Sequence, residues 1–431
     1  MLMRSLKFNL AETNASGWDA AVFLTATYLD GGWKADQLLD QLPSGFHGGR
    51  RKSCQSLFLG ALRHGHRTRA ALKPFLRKAP RHWVEAIFLV AGYELFQAEK
   101  EKIPKIIHHA VQGSKGRVSK PETALINAVL RKLPAAFTEI ENDTTLAASK
   151  HSHPEWLVKH WTQAYGTEDC EALLRWNQQI PITYVRSEEA LPDAFEASQW
   201  PGFYRTPTDS PWLEAIRPLL ESGDAYVKDP STRLAPALLN AQPGEAILDL
   251  CAAPGGKAFE MAQGLKGSGF LVALDLPGER MERLDQNLAR LKSTGLRCAR
   301  LAHDLLTLQA DDLEKDDLPK AFDAVLLDAP CSNTGVIQRR TDVKWRLQAR
   351  DLRACAELQS QLLAAASRFV KPGGRLVYST CSIEAAENRD VVDAFLKSPG
   401  GKVFELKEQT LSYPWETGHD GAGAFLLVRT G

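Results

Sequence analysis

The pattern of apolar positions changes character partway along the chain. Up to about residue 140, apolar residues recur at helical spacing: Trp18 to Leu29, which ends at Gly31-Gly32, then Ser53 to Leu62, Val84 to Phe96, Ile103 to Val111 and Pro121 to Leu133. That period predicts a series of amphipathic helices. Glu139 to Ser152 is polar and reads as a linker, His153-Pro154-Glu155-Trp156-Leu157 opens a further helix to about Trp176, and Pro181 to Arg186 alternates as a strand does. From about residue 240, short apolar runs alternate with helical segments: Ile247 to Leu250, Leu271 to Leu274, Cys298 to Leu301, Ala324 to Leu327, Leu376 to Tyr378 and Phe425 to Val428. Alternation of this kind predicts an α/β domain with a doubly wound, mostly parallel sheet. The expected organisation is an all-α domain over 1–140, a small α+β connector over 150–235 and the α/β domain over 236–431.

Composition narrows the class. A chain of 431 residues is too long for one core, and its 44% hydrophobic and 24% charged residues are those of a folded protein. No apolar run is long enough to span a bilayer, and Met1 to Leu10 lacks an apolar signal core. The seven cysteines are scattered without a CxxC pair. A disulfide framework and a metal site are therefore not expected, and a monomer in a reducing cytoplasm is. The net charge of +1 conceals an asymmetry: residues 1–140 carry +10 and the remainder −9. A basic helical module suggests a polyanionic partner.

The chemistry lies at the expected strand ends, where doubly wound sheets bind ligands. After Ile247-Leu248-Asp249-Leu250 comes Cys251-Ala252-Ala253-Pro254-Gly255-Gly256-Lys257, a turn whose glycines let the backbone approach a ligand. It is neither GxGxxG nor a Walker loop, so a dinucleotide or a triphosphate is not favoured. Asp275 ends the next strand, where a carboxylate can accept from ribose hydroxyls. Asp304 follows the third, placed to accept from an exocyclic amine. Two thiols follow later strands: Cys331 in Asp328-Ala329-Pro330-Cys331-Ser332 and Cys381 in Ser379-Thr380-Cys381-Ser382. Small-residue turns can expose a sulfur and lower its pKa, which points to thiolate chemistry beside an adenosine cofactor. Arg339, Arg340, Lys344 and Trp345 follow Cys331 and suit phosphate contact and base stacking on single-stranded RNA.

These residues carry a resemblance. Leu57 to His64, Ala91 to Leu95, Ile103-Pro104 and Ala124 to Leu133 make residues 1–135 similar to a NusB-type RNA-binding domain. The Gly turn with its three acids resembles the S-adenosylmethionine site of class I methyltransferases. Cys-Ala-Ala-Pro-Gly-Gly-Lys resembles, more narrowly, the motif of RNA (cytosine-5)-methyltransferases, and the combination resembles the bacterial RsmB-type family, which acts on small-subunit ribosomal RNA. The resemblance implies S-adenosylmethionine as cofactor, held by residues 251–257, Asp275, Asp304 and Asp328. It implies RNA as substrate and attack on cytosine C6 by one cysteine. Asp328 is then placed for the N3/N4 edge of the base, and Lys257 supplies positive charge. Local chemistry does not choose between the thiols. The family assigns attack to the Thr-Cys-Ser cysteine, here Cys381, and product release to the Pro-Cys-Ser cysteine, here Cys331. In DNA cytosine-5 enzymes a Pro-Cys attacks, which is the opposite assignment. Asn333 stands where the family usually has Gly. Two other readings are a transfer-RNA methyltransferase and an RNA-binding adaptor with an inactive core.

Overall fold

A computed structural model describes residues 15–208, 212–291 and 295–431. Met1 to Leu10, read above for a signal segment, lies outside the described residues. The chain forms two compact units, residues 1–180 with 337–347 and residues 181–336 with 348–431.

The first unit is helical. Its helices span Gly17–Asp30, Gly48–Leu72, His82–Gln97, Ile103–Ser114, Lys120–Leu130, Leu133–Asn142 and Glu155–Gln178, among shorter ones. Two begin with reciprocal caps. Ser16 accepts from the Asp19 amide while Asp19 accepts from that of Ser16, and Ser119 and Glu122 do the same. Each cap is worth about 1 kcal/mol. The apolar faces close on Trp18, Phe58, Leu62, Phe88 and Phe137. Three differences from expectation appear. Leu133–Asn142 continues as helix into the segment read as linker. The helix from Glu155, expected in the connector, belongs to this unit and breaks at Gly166, whose φ is 85°. The basic balance also overstates the surface charge, because Arg63 and Arg67 are buried.

In the second unit a small sheet comprises β1 (Tyr184–Ser187), β2 (Glu196–Ala197), β3 (Phe203–Arg205) and β4 (Ala225–Val227), ordered β2-β3-β1-β4 and antiparallel. The large sheet holds β5 (Ala246–Leu250), β6 (Phe270–Asp275), β7 (Arg297–Ala302), β8 (Phe322–Asp328), β9 (Val370–Thr380), β10 (Phe404–Ser412) and β11 (Ala422–Arg429). Its order is β10-β11-β9-β8-β5-β6-β7; β9 through β7 are parallel, whereas β11 and β10 run antiparallel. Successive side chains enter cores on opposite faces: Leu248, Val325 and Leu327 join one, Ile247, Ala324 and Leu326 the other. Burial on both faces is what makes these strands continuous apolar runs. The strand order reverses between β5 and β8, which opens a crevice at their carboxyl ends.

The helical unit buries His64 and His153 and half-buries His66. Burial, followed by Lys344 and neighbouring arginines, pushes His64 down to about 2 and His66 to about 3; His153, fully enclosed, is also well below its ordinary value. The unfolded chain takes up protons at these sites below pH 6.5 while the folded one does not. Stability should therefore be full above pH 6.5 and fall as pH drops, by about 1.4 kcal/mol per unit for each histidine. Burial raises Glu94 to about 7 and Asp249 well above the usual range, and both oppose the fall by taking up protons in the folded state. Urea midpoints at pH 7 and pH 5 should therefore show the fall in a Glu94→Gln, Asp249→Asn background; equal midpoints there would contradict it.

Candidate active site

Leu250 ends β5, and the chain turns at once. Cys251 takes φ 58° and Gly255 φ 104°, both left-handed. A Cβ on Gly255 would lie 3.1 Å from Leu284 and 3.3 Å from Asn287, so the turn is strained for any other residue. The Ala252 amide donates to the Leu274 carbonyl at 2.9 Å, and the Ala253 amide to Asp275 Oδ2 at 2.8 Å. Arg280 and Asn287 hold the Ala253 and Pro254 carbonyls. The helix Gly256–Gly264 then begins, with Lys257 in its first turn. Burial, followed by Asp275, Asp328 and Asp249, pushes the Cys251 thiol up to about 12, which leaves it an unreactive member of the cradle.

Asp275 is buried and accepts from the amides of Ala253 and Leu276, so it shapes the turn as well as facing it. Asp304 is half-buried and caps its own turn: Oδ1 accepts from the Leu306 amide at 3.0 Å. The sequence reading missed Asp249 as a separate group. It is fully buried, and neither carboxylate oxygen has a hydrogen-bond partner. Burial, the nearby Asp328 and then Asp275 hold its carboxyl well above the usual range, against the pull of Lys257. A buried orphan carboxylate beside a Gly turn suits a cation. S-adenosylmethionine offers a sulfonium and an ammonium, and the residues present fit it.

The reacting groups stand at the ends of β8 and β9. Their parallel register pairs Asp328 with Ser379. Lys257 Nζ meets Asp328 Oδ2 at 2.5 Å, and Ser379 Oγ donates to Asp328 Oδ1 at 2.9 Å. Burial alone would strip the Lys257 proton; Asp328, Cys381 and Asp249 together hold its ammonium above the ordinary value. Two residues past Ser379 and three past Asp328, the thiols of Cys381 and Cys331, not joined in a disulfide, lie 3.2 Å apart. The hydrogen bond to Cys381, then burial, then the charges of Cys381 and Glu387 raise Cys331 well above an ordinary thiol, and either sulfur can be the donor across the contact. Asn333 occupies a left-handed position, φ 63°, the conformation that suits a Gly there. Its amide donates to the Cys331 carbonyl at 2.7 Å, and its oxygen lies 3.4 Å from Cys381 Sγ.

The expectation for the segment after Cys331 needs correction. Residues 337–347 pack within the helical unit. Lys344 is 1% exposed and donates to the carbonyls of Arg63, at 2.5 Å, and Ser152, at 2.6 Å. Trp345 donates to the Leu62 carbonyl at 2.7 Å and lies against Gly65, where a Cβ would sit 2.2 Å from its ring. These side chains are structural pegs, with neither charge nor ring face offered to RNA. Arg339 is half-buried, while Arg340 is exposed, 3.8 Å from Asp36.

A Gly-turn cradle lined with carboxylates, on a parallel sheet whose order reverses beside it, defines the class: an S-adenosylmethionine-dependent class I methyltransferase core. Family models refine this. Residues 236–416 match 16S rRNA methyltransferase RsmB/F, and residues 33–134 match the NusB family. The chain is 30% identical over 381 residues to the probable ribosomal RNA small subunit methyltransferase B of Bacillus subtilis, covering 84% of this chain and 82% of that one. It is 35% identical over 378 residues to ribosomal RNA small subunit methyltransferase B of Pseudomonas putida, covering 81% and 82%. Among solved structures, a methyltransferase homologue from Pyrococcus horikoshii superimposes with a TM-score of 0.55 at 23% identity, over 66% of this chain and 97% of that one, a likeness of fold. The chain belongs to the RsmB/F family of 16S rRNA methyltransferases.

A cofactor cation completing the orphan Asp249 would make binding pH-dependent. A bound cation favours its ionised form, whereas the empty cradle favours the neutral one. Binding should expel a proton, and affinity should rise as pH rises above the ordinary carboxylate range. Calorimetry in buffers of different ionisation heat should detect the released proton, and Asp249→Asn should abolish the release. Undiminished release from that variant would assign the proton elsewhere.

Proposed function

We propose that the protein methylates C5 of a cytosine in small-subunit ribosomal RNA through a covalent bond between Cys381 and C6. The observation that carries this reading is the pair of thiols, 3.2 Å apart, at the ends of adjacent strands beside the Lys257–Asp328 pair. C5 of cytosine is a poor nucleophile. Addition of the Cys381 thiolate to C6 moves the C5–C6 π electrons onto C5 and makes it enamine-like. Lys257 holds positive charge beside Cys381, which favours the thiolate. Asp328, fixed by Lys257 and Ser379, would face the N3/N4 edge of the base.

S-adenosylmethionine supplies the electrophilic methyl group when bound. Asp275, Asp304, Asp328 and the turn from Cys251 to Lys257 would hold it, with Asp249 facing its positive charge. Transfer of the C5 proton to a water molecule acting as base restores the C5–C6 double bond and expels Cys381 as a thiolate. Cys331, 3.2 Å away and raised well above an ordinary thiol, can receive that sulfur in a hydrogen bond, which fits a role in release. The opposite assignment fits less well, because the positive charge of Lys257 lies beside Cys381 and the negative charge of Glu387 beside Cys331. RNA recognition falls to the NusB-type unit through its exposed cations, among them Arg77, Lys78, Lys105 and Lys115, and to Arg340.

RNA carrying 5-fluorocytosine tests the chemistry, since fluorine at C5 cannot leave as a proton. Wild type should form an adduct that survives a denaturing gel, with the crosslinked peptide containing Cys381. Cys381→Ala should abolish adduct and methylation. Cys331→Ala should still attack, and on ordinary RNA it should accumulate a stalled adduct. Crosslinking through Cys331 would reverse the two roles.

A further inference from the structure

Glu387 lies outside the cradle and between the loops that carry the thiols. It ends the short turn Ala385–Glu387 beyond β9 and is wholly buried. Oε2 accepts from the Ser332 amide and from Gln359 Nε2, both at 2.9 Å. Oε1 accepts from Ser382 Oγ at 2.8 Å and from Ser332 Oγ. Ser332 follows Cys331 and Ser382 follows Cys381. One carboxylate therefore holds the residue after each thiol, and the two serine hydroxyls lie 3.2 Å apart beneath it. Tyr378 fixes its backbone, donating to the Glu387 carbonyl at 2.6 Å.

All four donors are neutral. A buried charge held without a cation is costly to keep, and an apolar side chain would fill the same space more cheaply. What an apolar side chain cannot do is accept from four donors at once across two loops. We propose that Glu387 is a positioning residue for the reaction at the thiols: its carboxylate ties the Cys331 and Cys381 loops to one anchor and holds the two sulfurs in register. The proposal rests on the covalent reading above for what the sulfurs do. The same charge also separates their roles. It favours the proton on Cys331, while Lys257 stands on the side of Cys381.

Glu387→Gln in the full chain tests this. The glutamine fills the same volume, and Gln359 has an unpaired oxygen that can turn to accept from it, so the fold should persist. Either orientation of the amide, however, replaces one acceptor oxygen by an NH2 group, so one pair of donors must turn or be left unpaired. Adduct formation with 5-fluorocytosine RNA should slow by about tenfold or more, with the half-saturating RNA concentration and calorimetric cofactor affinity within about twofold of wild type. Alkylation by iodoacetamide, followed by peptide mass spectrometry across pH, should show Cys331 reacting at lower pH than in wild type. Ser332→Ala, which keeps the carboxylate and the Ser332 amide bond, should shift that profile less. Wild-type adduct rate and alkylation profile in Glu387→Gln would overturn the proposal. Equal losses of cofactor affinity and adduct rate would also overturn it, by showing a general structural role. Absence of any adduct in wild type would instead sink the covalent reading, and the alkylation profile would still decide whether Glu387 ties the loops.

Discussion

The parallel register of β8 and β9 is the constraint from which the site follows. Pairing Asp328 with Ser379 puts one carboxylate within reach of Lys257 from the β5 turn and of the Ser379 hydroxyl. It also starts two loops from the same level, so cysteines three and two residues further on come into contact. A slip of one residue would turn every side chain of a strand to the opposite face. Here both faces are buried, with Val325 and Leu327 in one core and Ala324 and Leu326 in the other, so a slip would exchange residues of different volume between two packed layers. The apolar content of the strands thus enforces the placement of polar groups that belong to neither core.

Four carboxylates near the crevice meet four different fates. Asp275 is satisfied by backbone amides, Asp328 by an ammonium and a hydroxyl, and Glu387 by neutral donors. Asp249 is satisfied by nothing. Hydrogen bonds that complete a carboxylate favour rigidity, and the first three fix the turn, the ion pair and the thiol loops in that order. An unpaired buried carboxylate lowers stability, and it is tolerated where a ligand completes it. The cradle is therefore rigid at its walls and incomplete where the cofactor enters.

Much of this was readable in the sequence, and the failures have physical causes. β5, β6, β8, β9 and β11 showed as apolar runs because most of their positions are shut away from water, while β7, at one sheet edge, showed through Cys298 to Leu301 although only Leu301 is buried. β10 did not: Phe404-Glu405-Leu406-Lys407-Glu408-Gln409-Thr410-Leu411-Ser412 is a sheet edge, largely exposed, with a bulge between Leu406 and Glu408. Charge on an edge strand hides its period while guarding against unwanted pairing. Lys344 and Trp345 misled for the converse reason. A lysine beside a tryptophan reads as a nucleic-acid contact, yet here carbonyls from two distant segments take the ammonium, and Gly65 vacates the space for the ring. Nothing local in sequence announces an acceptor 281 residues away. Glu387 escaped notice similarly, as an acid in a polar turn whose partners converge only in the fold.

Asn333 shows how a departure from a family pattern can be absorbed. The loop after Cys331 needs a left-handed residue at this position, because the chain must fold back so that the Gly335 amide donates to the Cys381 carbonyl at 3.1 Å. Gly meets that demand without a steric penalty, whereas most L-residues lose about 1–2 kcal/mol there. Asn is among the few side chains that enter the region readily. It also returns something Gly cannot, a donor to the Cys331 carbonyl and an oxygen beside the Cys381 sulfur. The backbone demand thus survives the exchange, and the side chain adds a direct link between the two thiol loops. Glu387 binds those loops from beneath through their serines, and Asn333 binds them at the level of the sulfurs. The separation of the thiols is therefore held at two heights rather than one.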